Sequence, residues 1–122
     1  MSRTMAEVNR LLKKTAGLIN DDTASPFQGE FRVGVDLGTA DIQTIVLDAD
    51  GNPLAGFMDW ANVVRDGVVV DFFGASQIVR EQVRRASAKL GIHIGRVSTS
   101  FPPGTDSRIS TNVIEAAGLE VA

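Results

Sequence analysis

The sequence has no cysteine and only one histidine, His93, among its 122 residues. Without cysteine the chain can form neither a disulfide framework nor a metal site built on thiolates. A single histidine also excludes a metal site that uses several histidines of one chain. These two shortages remove disulfide-stabilised folds and the commonest zinc sites from consideration.

The sequence also lacks long apolar runs and an excess of positive charge. No apolar run approaches the roughly 18 residues of a membrane-spanning helix. The N-terminus carries basic residues, but it has neither the apolar core nor the cleavage site of a secretory signal. The net charge of -3 argues against nucleic-acid binding, which usually needs a basic patch. We therefore expect a soluble, cytoplasmic protein with no membrane and no nucleic-acid partner.

The apolar residues that are present, 43% of the chain, suffice for one folded domain with a modest core. Apolar residues at near-helical spacing predict an amphipathic helix over about residues 3–20, within a first segment of residues 1–20. Residues 21–30 are polar and include Pro26 and Gly29, which is typical of a linker. Residues 31–122 then form the domain itself.

Strand and helix patterns follow one another through residues 31–122. The predicted elements are, in order, strands at about 31–37, 42–47 and 54–60, a short run at 68–70, a helix at 73–90, a strand at 94–101, a helix at 107–117 and a strand from 119. Asp71 is placed to cap the first helix, and Gly91 is placed to end it. The first three strands form an antiparallel meander, so the sequence predicts an α/β fold with a mixed sheet and packed helices.

The turn between the first two strands has the composition of a phosphate-binding loop. Asp36 ends the first strand, and Gly38, Thr39 and Ala40 lead directly into the second. Glycine allows a tight turn and the close approach of an anion, and successive N–H groups of such a turn can point at phosphate oxygens. The Thr39 hydroxyl would add a donor, and Asp36 is a hard oxygen ligand for Mg²⁺. Taken alone, these four letters also fit an ordinary hairpin turn.

The context of this turn resembles the first lobe of the actin, DnaK and MreB superfamily of ATPases. The resemblance covers residues 31–122 and is carried by the strand–turn–strand, by Arg65-Asp66-Gly67 with Asp71-Phe72, and by the Pro-Gly loop in Thr99 to Asp106. It is greatest to ethanolamine-utilisation proteins of the EutJ kind, through Asp59-Trp60-Ala61, residues 71–75 and residues 115–121. The resemblance implies the first lobe of an actin-like ATPase (ribonuclease H-like) fold.

The resemblance also implies ligands and partners. Asp36, Gly38, Thr39 and Ala40 map to the first phosphate loop, with ATP and Mg²⁺ as cofactors and Asp36 positioning the metal's water. The superfamily's second loop, D-x-G-G-G-T, does not occur in the sequence. We therefore expect a truncated lobe with weak nucleotide binding and negligible ATPase turnover, although the family implies an ATPase. An unpaired edge strand and uncovered apolar surface favour a homodimer.

Three functions remain open at this point. The first is an ATP-dependent chaperone or reactivating factor that acts on an ethanolamine-breakdown enzyme or a microcompartment component. The second is a filament or scaffold protein of the MreB, FtsA or PilM kind. The third is a fragment of a sugar or acetate kinase, which no residue of this chain specifically supports.

Several other residues have a simpler interpretation than a site. The acidic and amide residues Asp48, Asp50, Asn52 and Asp59 faintly suggest a calcium loop, but a β-turn fits them better. Four basic residues of the long helix are expected to form a solvated face, and they are Arg80, Arg84, Arg85 and Lys89. Trp60 is expected to pack in the core and His93 to lie at the surface.

Overall fold

The computed structural model of the protein describes residues 17–38, 40–61, 64–65, 68–69, 71–100 and 107–122. Its strands are β1 (Phe31–Leu37), β2 (Asp41–Asp48), β3 (Pro53–Trp60), β4 (Val64–Arg65), β5 (Val68–Val69), β6 (Arg96–Ser100) and β7 (Glu120–Val121). Its helices are α1 (Phe72–Leu90) and α2 (Ser107–Ala116). The predicted N-terminal helix falls mostly outside the described residues, and of those described only Gly17 and Leu18 are helical.

The main sheet is mixed and has the strand order β3-β2-β1-β6-β7. Strands β1, β2 and β3 pair antiparallel, as the meander predicted, while β1 pairs β6 and β6 pairs β7 in parallel. The parallel pairs follow from the helices, because a helix between two strands returns the chain to the edge where the previous strand began. The predicted α/β class with a mixed sheet is therefore confirmed.

Helices α1 and α2 cover one face of the sheet and enclose the core. The alternation along β1 sends Val33, Val35 and Leu37 into this core, each at most 5% exposed. The other face carries the alternate residues, Arg32, Gly34 and Asp36, and we call it the open face. Residues on the open face of β2 and β6 are partly or fully exposed as well, so this face can carry a site.

The ends of helix α1 are fixed by the two residues that the sequence singled out. The Asp71 carboxylate accepts a hydrogen bond from the Gly74 N–H at 2.8 Å, which satisfies one of the free amides of the first turn. At the other end, Gly91 adopts the left-handed conformation with φ of 63°. The helix bounds therefore agree with the prediction to within one residue.

The segment from residue 19 to residue 27, which we call the N-terminal strap, lies against the domain. Asn20 hydrogen-bonds to the free edge of β3. Its Oδ1 accepts from the Met58 N–H at 2.9 Å, and its Nδ2 donates to the Met58 carbonyl at 3.0 Å. The N–H groups of Ser25 and Phe27 donate to the carbonyls of Lys89 and Leu90. The residues interpreted as a linker, from residue 21 on, thus have no regular element but are bonded to α1, whereas the bonds to β3 come from Ile19 and Asn20.

Two basic residues of α1 hold this strap, which corrects the expectation that they form a solvated face. Arg85 makes a paired hydrogen bond with the Asp22 carboxylate, at 2.7 and 3.0 Å, and stacks 4.5 Å above the Phe57 ring. Lys89 is only 3% exposed and donates to the Asp21 carbonyl at 2.7 Å. The stripe was misread because the residues that cover it lie more than 60 positions away in the sequence.

The structure also corrects the placement of Trp60. This residue is 76% exposed instead of packed in the core. Asp59 reaches α1 through a hydrogen bond to Gln82, so the next residue along β3 points to the open face. Phe73 is also largely exposed, at 73%, at the start of α1.

Candidate functional site

The predicted site lies where β1 and β6 end and β2 begins. Parallel strands place their carboxyl ends at one edge of a sheet, so Asp36 of β1 comes beside Ser100 of β6, and the two are partners in the register. The Ser100 hydroxyl donates to Asp36 Oδ1 at 2.9 Å. Asp36 is exposed on the open face, as a metal-binding or phosphate-facing carboxylate must be.

The turn that follows is closed by a hydrogen bond between its first and last residues. The Gly38 N–H donates to the Asp41 carbonyl at 2.9 Å, which joins the end of β1 to the start of β2. A Cβ on Gly38 would lie 2.7 Å from Asp41 Oδ1 and 3.1 Å from its carbonyl oxygen, which explains the glycine at this position. Because the Gly38 N–H is used within the turn, the donors to an anion would be the amides that follow it.

Of the remaining predicted residues, Ala40 is described and Thr39 lies outside the described residues. The Ala40 carbonyl accepts from the Ala61 N–H at 2.9 Å, just after the end of β3. The turn is therefore fastened on both sides, to Asp41 within the hairpin and to the chain after β3. Restraint of this kind would lower the entropic cost of binding a ligand at the turn.

A buried polar group behind the turn was not predicted. Gln82 of α1 is fully buried, and its Nε2 donates to the Ile42 carbonyl at 2.8 Å and to Asp59 Oδ2 at 2.9 Å. Its Oε1 accepts from the buried Thr44 hydroxyl at 2.8 Å. This glutamine therefore ties the start of β2 and the end of β3 to the helix. The only sequence signal that could have indicated its burial was its position among the apolar residues of α1.

A shallow trough on the open face runs along β1 and reaches Asp36. It has a volume of about 340 Å³, and its floor is open because Gly34 carries no side chain. Its walls come from β2 and β6 and are lined by Gln43, Ile45, Leu47, Ser98, Thr99 and Ser100. The trough is apolar along most of its length and ends in hydrogen-bonding groups at the site.

The arrangement has groups that can position an anion and a cation. Asp36 can hold a hydrated divalent cation, and the amides of the turn can face a phosphate bound to it. Within the described residues, no three histidine, aspartate or glutamate side chains form a metal-binding group. Asp36 alone would thus bind a cation through its water shell, with the phosphate supplying the remaining ligands.

No helix in the described part of the chain has the length and apolar character needed to span a membrane.

Comparison with known proteins gives one consistent result. No protein-family model matches the chain. The ethanolamine utilization protein EutJ of Escherichia coli (strain K12) is 49% identical over 109 residues, which are 89% of this chain and 39% of that protein. EutJ of Salmonella typhimurium is also 49% identical, over 111 residues. The chain therefore spans about two fifths of the length of these relatives.

A solved structure extends this result to the fold. The crystal structure of the ethanolamine utilization protein EutJ from Carboxydothermus hydrogenoformans matches with a TM-score of 0.85 and 42% identity. The match covers 95% of this chain and 44% of the solved chain. Over the part of these proteins that it spans, the chain is therefore similar to EutJ in both sequence and fold.

Proposed function

We propose that this chain provides one wall of a nucleotide cleft, with the turn after β1 as its first phosphate-binding loop. The exposed Asp36 carboxylate, held by the Ser100 hydroxyl beside a turn in which a side chain at Gly38 would crowd Asp41, is the observation that carries the proposal. A phosphate chain bound through Mg²⁺ would meet the carboxylate through the metal and the turn through its amides. Asp36 would orient the metal's water and would not touch phosphate directly, because like charges repel.

The proposed role is that of an ATP-dependent chaperone or reactivating factor in ethanolamine utilization. The names of the relatives support the setting. Its client would be an enzyme of ethanolamine breakdown or a component of the microcompartment that encloses it. The described residues supply one side of the cleft only, so nucleotide binding by this chain should be weak and turnover negligible.

Titration of the ¹⁵N-labelled chain with Mg-ATP, followed by NMR, tests the location and the affinity separately. We expect saturable shifts of the amides of Asp36, Gly38, Ala40 and Ser100, at concentrations well above micromolar. Asp36→Asn should abolish the dependence of these shifts on Mg²⁺.

Asp50→Asn is the matched control, because it removes the same charge in the turn between β2 and β3, which lies at the opposite end of the strands. It should leave the titration unchanged. Shifts confined to other parts of the sheet, or an unaltered response of Asp36→Asn, would refute the site. A micromolar dissociation constant for the unsubstituted chain would refute the single-walled cleft while leaving the site in place.

A further inference from the structure

A second concavity lies at the opposite end of the strands, beside the N-terminal ends of β1 and β6. It has a volume of about 400 Å³ and is lined by residues that include Arg32, His93 and Arg96. Gly34 and Ser98 are partners in the parallel register of β1 and β6, so Arg32 and Arg96, two residues earlier on each strand, are neighbours on the open face. Two cations therefore lie side by side at the rim of a cavity.

This juxtaposition is unfavourable unless something neutralises it. Like charges opposite one another on neighbouring strands destabilise a sheet. Among the described residues, the ion pairs join Arg84 to Glu81 and Arg85 to Asp22, and neither Arg32 nor Arg96 takes part in one. The whole sequence has a net charge of -3, so the local positive charge runs against the overall balance.

The acidic residue of the neighbouring strand, which lies opposite Arg96, makes no direct ion pair with it. Glu120 of β7 is the register partner of Arg96 and is exposed, but its carboxylate makes no ion pair with Arg96. The Glu120 main chain is used instead, with its N–H donating to the Gly95 carbonyl at 2.8 Å. The two guanidinium groups thus keep their hydrogen-bonding capacity for a ligand.

The imidazole of His93 forms one side of the cavity. A Cβ on Gly95 would lie 3.2 Å from His93 Nε2, so the ring lies directly over the glycine backbone. The rim is further fixed by the Ala122 N–H, which donates to the Val97 carbonyl at 2.8 Å. A hydrogen-bonding ring therefore faces the same space as the two arginines, and its position depends on the absence of a side chain at residue 95.

We propose that Arg32 and Arg96, with His93 at the rim, bind a small oxyanion that carries a phosphoryl or carboxylate group. The planar guanidinium group donates two parallel hydrogen bonds to either group, and two such forks suit a doubly charged anion. The volume of about 400 Å³ is that of a metabolite-sized site. Asp36 lies four residues along β1, about 13 Å away, so the anion site is separate from the phosphate turn.

The test uses inorganic phosphate and malonate as probes, each titrated into the ¹⁵N-labelled chain. We expect saturable shifts of the amides of residues 32 and 93–97. Arg32→Gln and Arg96→Gln should each weaken binding about tenfold, the effect of one charge-assisted hydrogen-bonding group. Both arginines are exposed, so the substitutions should leave the rest of the spectrum in place.

Arg80→Gln is the matched control, because Arg80 is an exposed arginine of α1 outside the cavity. It should bind as the unsubstituted chain does. Asp36→Asn should also bind normally, so the two proposals fail independently. Preference for phosphate or for malonate identifies the anionic group. Absence of saturable binding by both probes, or equal weakening by Arg80→Gln, would overturn the proposal.

Discussion

Glycine is required at the C-terminus of α1 for a conformational reason alone. Gly91 has a φ of 63°, and a Cβ added there would meet nothing within 4 Å. The left-handed conformation costs about 1 kcal/mol or more for a residue with a side chain. The helix end at this position is therefore set by backbone energetics and not by packing, which is why the sequence predicted it.

Gly91→Ala should lower the free energy of unfolding by about 1 kcal/mol, because alanine must take the left-handed conformation. Gly34→Ala is the control, since Gly34 has an ordinary φ and no atom within 4 Å of the added Cβ. That variant should be neutral or slightly stabilised. Urea unfolding measures both, and equal losses in the two variants would contradict the conformational explanation.

In the candidate site, some residues could be predicted from their neighbours in the sequence and others could not. Asp36 and Gly38 were predicted because an acid and a glycine at the end of a strand are visible in sequence order. The Ser100 partner of Asp36 was not, since the two residues are 64 positions apart and meet only when β1 and β6 pair. Trp60 was misplaced for a related reason: its face of β3 is decided by the register of Asp59 with α1.

At the scale of elements, α1 shows the limit of hydrophobic periodicity. The apolar residues that recur at helical spacing along α1, Val79, Val83, Ala86 and Leu90, are buried, each at most 6% exposed. The same face also buries Gln82 and Lys89, which the pattern assigned to solvent or left unassigned. A buried polar residue needs a specific partner, and that partner comes from another element.

Gln82→Met should destabilise the domain by about 2–4 kcal/mol. The change keeps most of the side-chain volume but leaves the Ile42 carbonyl and the Thr44 hydroxyl without their buried partner. Thr44→Val removes one hydrogen bond and should cost about 1 kcal/mol. Chemical unfolding of both variants gives these values.

The double variant decides whether the two side chains act together. Because Gln82 and Thr44 are hydrogen-bonded at 2.8 Å, the double variant should lose less than the sum of the single losses. Strictly additive losses would show that the hydrogen bond contributes nothing beyond the two separate burials.

At the scale of the whole molecule, the N-terminal strap joins the start of the described chain to both β3 and α1. It satisfies part of the free edge of β3, where Ile19 forms a bridge with Gly56. The Arg85 hydrogen bond holds the pKa of the Asp22 carboxyl below its ordinary value. The contact therefore stabilises the strap above about pH 4, the ordinary pKa of aspartate, and is lost as the pH falls through the lowered pKa.

Asp22→Asn should loosen the strap without unfolding the domain. The expected result is faster hydrogen exchange of the Ser25 and Phe27 amides at neutral pH, with unchanged exchange in β1 and β2. Glu81→Gln is the control, because it breaks the exposed ion pair with Arg84 on the same helix but touches no part of the strap. Unchanged exchange of the two strap amides in Asp22→Asn would show that the backbone bonds to Lys89 and Leu90 suffice.

The expected homodimer stays a prediction. The domain division at residues 20 and 30 also stays one. The strap's hydrogen bonds to β3 and α1 show only that residues 19–27 pack against the domain.

The sequence alone determined the α/β class, the meander, the helix caps and the acid–glycine turn, because each depends on neighbours within a few residues. The tertiary structure decided which residues support the turn, which arginines are held and which face each other unpaired, and where Trp60 points. Those outcomes depend on the pairing of β1 with β6 and on the packing of α1 against β2 and β3. Contacts between residues far apart in sequence depend on how β6 registers against β1 and on how α1 packs on the sheet, and neither follows from a residue's neighbours in the sequence.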